Sequence, residues 1–306
     1  MNPVPKFVFI IPYRDRKNHL LLFERQMKYV LEDIDPAEYR IIYAHQCDTR
    51  SFNRGAMKNI GFLAMKKEYP KDYLSMTFVF HDVDTMPYIK NTFDYKTVSG
   101  VVKHFYGFQF ALGGIVSITG HDFEKVNGFP NFWAWGYEDN ELQRRVLRAG
   151  IIIDRSQFYY INHDAILQIF HGKNRQVNRG EADKYKYQTF AGLNVVNKTE
   201  YTFDISTGFL NITNFTVGSE ENKRLSSVFD LTTAPAPFQS RPTPVMKQNI
   251  SIMNKNNSLD RMNDNVNTYV NKRRIILKEE IHNNNVQPTN LTMVKKTRHA
   301  MKGLVF

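Results

Sequence analysis

What most constrains this chain is the alternation of apolar runs and helical stretches over residues 6–80. Lys6-Phe-Val-Phe-Ile-Ile-Pro12 is a continuous apolar run closed by a proline, the pattern of a strand buried on both faces. Residues Asn18–Leu31 set Leu21, Leu22, Met27, Val30 and Leu31 at helical spacing. Tyr39-Arg-Ile-Ile-Tyr-Ala44 reads as a second strand. Gly55–Lys67 reads as a second helix, with Met57, Ile60, Leu63 and Ala64 on one side, and Ser75-Met-Thr-Phe-Val-Phe80 as a third strand. Strand, helix, strand, helix, strand predicts an α/β fold with a mostly parallel central sheet flanked by helices. Sheets of that kind bind ligands beyond the carboxyl ends of their strands. The chemistry is therefore expected just after Ile11, Tyr43 and Phe80.

Each of those places holds a polar cluster: Pro12-Tyr-Arg-Asp-Arg16, Asp48-Thr-Arg-Ser-Phe-Asn-Arg54 and His81-Asp-Val-Asp84. Taken singly, Arg14 with Arg16 reads as a solvated turn, and Asp-Val-Asp as a common loop triplet. Together, arginines and paired aspartates at successive strand ends suit a phosphate ester and a divalent metal. The planar guanidinium donates two bonds at once to phosphate. Mg²⁺ and Mn²⁺ favour carboxylate oxygens and bridge them to diphosphate.

Further along, Leu112-Gly-Gly-Ile-Val-Ser-Ile-Thr119 puts a glycine pair before a strand-like run, either as a turn or as a place where backbone meets ligand. Asn127-Gly-Phe-Pro-Asn-Phe-Trp-Ala-Trp-Gly-Tyr-Glu-Asp139 holds both tryptophans and then two acids. Helical spacing resumes with Leu142, Val146 and Leu147 and stops at Gly150. Glu138 and Asp139 thus fall at a helix N-terminus, where free N–H groups and the helix dipole favour ionised carboxylates. One reading is an N-cap among core aromatics. The other is tryptophan faces against sugar rings beside a carboxylate that takes a proton from a hydroxyl. Gln168-Ile-Phe-His171 leads into a polar loop, Gly172–Gly180, and its histidine could complete a metal shell.

Composition separates this front part from a tail. The chain has a net charge of +11. Residues 245–306 carry eleven Lys/Arg against four Asp/Glu, a net +7, which leaves +4 for residues 1–244. Thr232-Thr-Ala-Pro-Ala-Pro-Phe-Gln-Ser-Arg-Pro-Thr-Pro244 denies helix and central strand and reads as an extended linker. The organisation expected is a catalytic domain over 1–218, a Pro-rich linker over 219–244 and a basic, Asn-rich tail over 245–306. Within the tail, Val266–His282 is a candidate short helix. The single cysteine, Cys47, excludes an intrachain disulfide and a cysteine metal cluster. No apolar stretch reaches about 18 residues, and the N-terminus lacks a secretory signal pattern, so the expectation is a cytoplasmic chain.

At this point the ordered motifs resemble the β-1,4-galactosyltransferase family, inverting transferases with the GT-A nucleotide-sugar fold. The matches are Ile10-Ile-Pro-Tyr-Arg-Asp-Arg16 with His19-Leu20, Phe52-Asn-Arg54, Asn59-Ile-Gly-Phe62, His81-Asp-Val-Asp84, Gly113-Gly114, Asn127-Gly-Phe-Pro-Asn131 and Trp133-Ala-Trp-Gly-Tyr-Glu-Asp139. They run over roughly residues 7 to 218, and the tail lies outside them. The resemblance implies that Pro12, Tyr13, Arg14, Arg16, Phe52, Arg54, Asp82 and Val83 bind the nucleotide. It implies Asp84 and His171 as ligands of Mn²⁺, with Mg²⁺ as the alternative, and Gln168 beside them. Gly113, Gly114 and Ala111 would face the donor sugar. Trp133, Trp135 and Glu138 would bind the acceptor, and Asp139 would be the catalytic base.

The departures have consequences of their own. Gln168 stands where the family often has a methionine ligand, and an amide oxygen can ligate Mn²⁺. Ala111 and Leu112 replace two aromatics, leaving room for an N-acetyl group on the donor. Ala134 and Tyr137 replace glycines of the Trp-Gly-Trp-Gly-Gly pattern and narrow the acceptor side. The expected activity in glycan biosynthesis is transfer of a hexose or N-acetylhexosamine (Gal, GalNAc or GlcNAc) from a UDP-sugar to a hydroxyl of a glycan or glycoprotein acceptor. Two other readings stay open: a metal-dependent nucleotidyltransferase, and a binding module that captures nucleic acid or an anionic surface through the basic tail.

Overall fold

The computed structural model describes residues 4–232. In chain order the elements are β1 (Phe7–Tyr13), α1 (Lys17–Val30), β2 (Tyr39–Gln46), α2 (Arg54–Glu68), β3 (Thr77–His81), β4 (Thr85–Pro87), β5 (Val101–Gly107), β6 (Ile115–Thr119) and α3 (Gly120–Lys125). They continue with α4 (Glu138–Arg148), β7 (Ile152–Asp154), β8 (Tyr159–Tyr160), β9 (Ile166–Gln168), β10 (Asn174–Asn178), α5 (Arg179–Lys186), β11 (Asn197–Asp204), β12 (Phe209–Thr216) and β13 (Ser226–Asp230).

The central sheet has the order β11-β12-β2-β1-β3-β6-β5-β7, with β8 also paired to β5. β1 lies parallel to β2 and β3, and β12 lies parallel to β2. The sheet turns antiparallel at β6, which runs against both β3 and β5. The parallel half is the part the alternation predicted. β6 departs from it because it returns directly from the cleft instead of through a crossover helix; beyond it β5 pairs parallel with β7 and β8, and at the other end β11 runs antiparallel to β12.

β1 shows why the first apolar run is unbroken. Val8 and Ile10 point into the core that also holds Met57 and Ile60 of α2. Phe7, Phe9 and Ile11 point the other way, with Phe23 and Met27 of α1. Successive side chains of a strand alternate faces, so a strand covered on both sides needs apolar residues throughout.

The domain runs past the boundary expected at 218. Ser226–Asp230 forms β13, antiparallel to β10, where the sequence reading put linker. This stretch has no proline and offers β-formers, Val228 and Phe229; the prolines begin at Pro235. The Pro-rich segment from 233 onward, the basic tail and its candidate helix Val266–His282 lie outside the described residues. Among the described residues no helix is long and apolar enough to cross a membrane.

Candidate active site

The carboxyl ends of β1, β2 and β3 open into a cleft of about 960 Å³. It is lined by Pro12, Arg14, Arg16, Phe52, Arg54, Asp82, Val83 and Asp84 from those three ends. Ala111, Gly113, Gly114, Trp135, Glu138 and Asp139 line the facing wall, and Gln168 and His171 the rim. The cleft thus lies beyond the carboxyl ends of the strands, the place where open sheets bind ligands and where the sequence reading expected the chemistry.

Two expected residues are not there. Tyr13 ends β1 buried, its ring edge-on to His45 at 5.2 Å and to Phe209 at 5.5 Å. The strand's alternation turns it away from the cleft. Trp133 is also in the core, 1% exposed. It stacks on Phe215 at 5.8 Å, carries Arg50 4.8 Å above its ring, and donates from Nε1 to the Ser219 carbonyl at 3.0 Å. Only Trp135 of the pair faces ligand space. Its backbone N–H donates to Gln176 of β10 at 2.8 Å.

The backbone of that segment takes up a conformation that favours glycine at two residues that are not glycine. Ala134 and Tyr137 have φ of 68° and 67°. That left-handed region is strained for residues with a Cβ and is held by surrounding structure. The Tyr137 ring lies flat on Tyr185, 4.4 Å away at 7°.

The cleft floor is a charge cluster built on α2 and α4. Arg54 donates to Asp82 at 2.6 Å and bonds Glu138, and it lies 3.8 Å from Asp139. Lys58, one turn later on α2, reaches Asp139 Oδ1 at 3.1 Å. Burial pushes Asp82 up, but Arg54 and Lys58 outweigh it and leave the carboxyl below its ordinary range. Burial wins at Glu138, whose carboxyl is raised despite Arg54. Glu138 also accepts from the Gly136 N–H at 3.2 Å. It was expected to bind the acceptor. It lines the cleft while its carboxylate bonds Arg54 and this amide, with 4% of the side chain exposed.

Arg14 and Arg16 were expected to hold diphosphate. Arg14 lines the cleft and also grips the β2–α2 loop, donating to the carbonyls of Asp48, at 2.9 Å, and Arg50. Arg16 reaches the His171 carbonyl at 3.4 Å and remains on the cleft wall.

At the rim, His171 Nδ1 lies 2.9 Å from Asp84 Oδ2. Arg175, which sequence reasoning missed, contacts the other ring nitrogen. Gln168 Oε1 accepts from the Tyr106 hydroxyl at 2.7 Å, which engages the expected amide ligand. Among the described residues no third carboxylate, imidazole or thiolate joins Asp84 and His171. One carboxylate and one imidazole suit a divalent cation that fills its other positions with substrate phosphate oxygens and water.

The two glycines are close-packed for different reasons, Gly114 against backbone and Gly113 against a side chain. A Cβ on Gly113 would lie 2.4 Å from Asp139 Oδ2, and one on Gly114, at φ 69°, would lie 2.4 Å from the Tyr106 carbonyl. His104 supports this turn: Nε2 contacts the Tyr106 and Gly113 carbonyls at 3.0 and 3.1 Å, and Nδ1 accepts from Arg155 at 3.1 Å. Burial, then Arg155, depresses His104 to about 4, so the ring is neutral near pH 7.

Lys58, Arg175 and Tyr106 carried no motif signal. Phe229 and Leu231, which also line the cleft, belong to the segment expected to be linker. Lys58 stands four residues after Arg54 on the same helix face, but that spacing alone does not distinguish it from a solvated lysine.

Known proteins resemble this chain in sequence and in fold. The family model described as the N-terminal region of glycosyl transferase group 7 matches residues 2–95. The model described as the N-terminal domain of galactosyltransferase matches residues 94–171. Mouse beta-1,4-galactosyltransferase 4 is 32% identical over 194 residues, 57% of this chain and 52% of that protein. Human beta-1,4-galactosyltransferase 6 is 33% identical over 163 residues, 50% of this chain and 41% of that protein. The chain thus spans about half the length of the curated relatives it matches. The catalytic domain of Drosophila beta1,4-galactosyltransferase 7, solved with xylobiose, superposes with a TM-score of 0.58 at 25% identity, over 72% of this chain and 97% of that one. A mutant of the Drosophila enzyme solved with manganese, UDP-Gal and xylobiose gives a TM-score of 0.54 at 24% identity, over the same shares.

Proposed function

This chain belongs to the group 7 glycosyltransferase family, and we propose that it is an inverting, metal-dependent transferase that moves a sugar from a UDP-sugar to a hydroxyl of a glycan acceptor. The observation that carries this reading is one cleft shared by Asp82 and Asp84 after β3, His171 on the rim and Asp139 in the first turn of α4. Asp84 and His171 would hold the cation, Mn²⁺ or Mg²⁺. The bound cation supplies charge neutralisation for the departing diphosphate. Arg16 adds positive charge on the same wall. Asp139 takes the proton of the acceptor hydroxyl as that oxygen attacks the anomeric carbon. Trp135 gives one sugar face an apolar surface, beside the exposed stacked pair Phe108 and Phe110, 5.1 Å apart.

The donor wall supports a finer reading. Ala111 has a short side chain on the cleft wall beside Gly113 and Gly114, which leaves space at the sugar's C2 side for an N-acetyl group. GalNAc and GlcNAc therefore stand beside Gal as donor sugars. The test is release of UDP from UDP-Gal, UDP-GalNAc and UDP-GlcNAc, with and without Mn²⁺. Metal-dependent release from at least one supports the reading, and none from any of the three overturns it.

Two variants probe the site directly. Asp84→Ala is expected to make UDP binding indifferent to Mn²⁺, so that titrations with the metal and with chelator superimpose. A remaining metal-dependent gap would take Asp84 out of the metal shell. Gly113→Ala is expected to keep the thermal transition but lower turnover by about a hundredfold, because an added Cβ displaces the Asp139 carboxylate by an ångström or so. Wild-type turnover in that variant would mean the carboxylate is not held where the chemistry occurs.

A further inference from the structure

Lys58 is one of two lysine or arginine side chains buried among the described residues, 2% exposed against 8% for Arg145. Arg145 is explained by structure. It binds Glu141 and the carbonyls of Asn127, Gly128, Thr189 and Ala191. Lys58 has a different environment. Its ammonium bonds Asp139 Oδ1 at 3.1 Å and sits 4.3 Å above the Phe129 ring. An ammonium is costly to remove from water, and the first turns of a helix are unfavourable for cations. Lys58 and Arg54 nonetheless stand one turn apart at the start of α2, on the side that meets α4. Such a placement is stable only with the carboxylates it meets.

The two oxygens of Asp139 are thereby made unequal. Oδ1 carries the Lys58 bond. Oδ2 lies on the Gly113 side, 3.8 Å from Arg54. We propose that Lys58 is a positioning residue: it fixes Asp139 through Oδ1 so that Oδ2 is the oxygen presented to the acceptor hydroxyl. This rests on Asp139 being the base. In the step, the acceptor O–H bond breaks and its proton goes to Oδ2. The oxygen's electron pair forms the bond to the anomeric carbon, and UDP leaves with the pair of the broken C–O bond. A carboxylate free to rotate would spend much of its time with neither oxygen aimed, and misplacement of that order is felt in turnover rather than in donor binding.

The test compares wild type with Lys58→Met, Asp139→Asn and the double variant, using UDP release from the three UDP-sugars with Mn²⁺ and calorimetric UDP binding. Lys58→Met retains the stem over Phe129 and is expected to lower turnover about tenfold or more, with donor KM and UDP Kd within about twofold of wild type. In the Asp139→Asn background the same change is expected to cost no further turnover. It should instead recover part of the thermal stability that Asp139→Asn loses, because the buried ammonium, in contact with the amide but without a counter-charge, is gone. If Lys58→Met folds poorly, Lys58→Gln keeps a donor and is expected to retain more turnover per folded molecule than Lys58→Met. Wild-type turnover in Lys58→Met, or a further loss from it in the Asp139→Asn background, overturns the assignment of Lys58. Full turnover in Asp139→Asn overturns the base instead, and the two failures are thereby distinguished.

Discussion

Asp139→Asn is expected to reduce sugar transfer by about 10²- to 10⁴-fold, the range a positioned general base contributes, while Mn²⁺-dependent binding of UDP persists. Asparagine has nearly the same shape and can still contact Lys58, so α4 and the Gly113 turn should remain in place. Its amide, however, cannot take a proton from a hydroxyl. The metal-dependent binding is expected to persist because Asp84 and His171 come from other segments, after β3 and after β9, and make no direct contact with Asp139. The pair of measurements separates chemistry from folding. Transfer at the wild-type rate would remove Asp139 as base. Loss of UDP binding together with transfer would mean that the Arg54, Lys58, Asp82, Glu138 and Asp139 cluster had collapsed rather than lost one function.

How much of this site can be read in a sequence depends on the physical reach of each signal. The ends of β1 and β3 were legible because a strand buried on both faces has a continuous apolar run, and the residue after it lies at the carboxyl end of the sheet; β2, half-buried along its first residues, followed from the alternation. Asp139 was legible for a similar local reason: acids followed by helical spacing fall at a helix N-terminus. Trp133 and Tyr13 were not. Each lies in a segment that supplies cleft residues, and which side of the backbone a side chain takes there is set by long-range packing on Phe215 and Phe209. Lys58 failed for the opposite reason. A lone lysine among apolar helical residues reads as solvated, and only the approach of α4 to α2 turns it into a partner for Asp139. The same limit applies to β13. Pairing with β10 is a contact between segments roughly fifty residues apart, invisible in local composition although Val228 and Phe229 are good strand formers.

Arg54→Met is expected to lower stability by about 3–5 kcal/mol, because one guanidinium holds two carboxylates in the cleft floor and its removal strands both. For a domain of this size that is a fall in Tm on the order of 10 °C. The loss has a definite pH dependence. In the wild type Asp82 titrates below its ordinary value, so its contribution is present above that value and is lost as pH falls through the depressed one. Glu138 titrates above its ordinary value, so its contribution is present at low pH and is lost as pH rises through the raised one. Without Arg54 both carboxyls lose the cation that favours their ionised forms, and both move up. Acidification then neutralises the stranded carboxylates in the variant, whereas in the wild type it dismantles the Arg54–Asp82 pair. The gap in Tm between the two proteins is therefore expected to be widest near pH 7 and to narrow towards about pH 4–5, where carboxyls begin to protonate. Arg54→Lys should recover only part of the loss, since an ammonium cannot span Asp82 and Glu138 with the fixed fork of a guanidinium. A gap that stays constant from pH 7 to pH 5 would mean that Arg54 stabilises the fold by packing its stem, not by holding two carboxylates apart in a shared site.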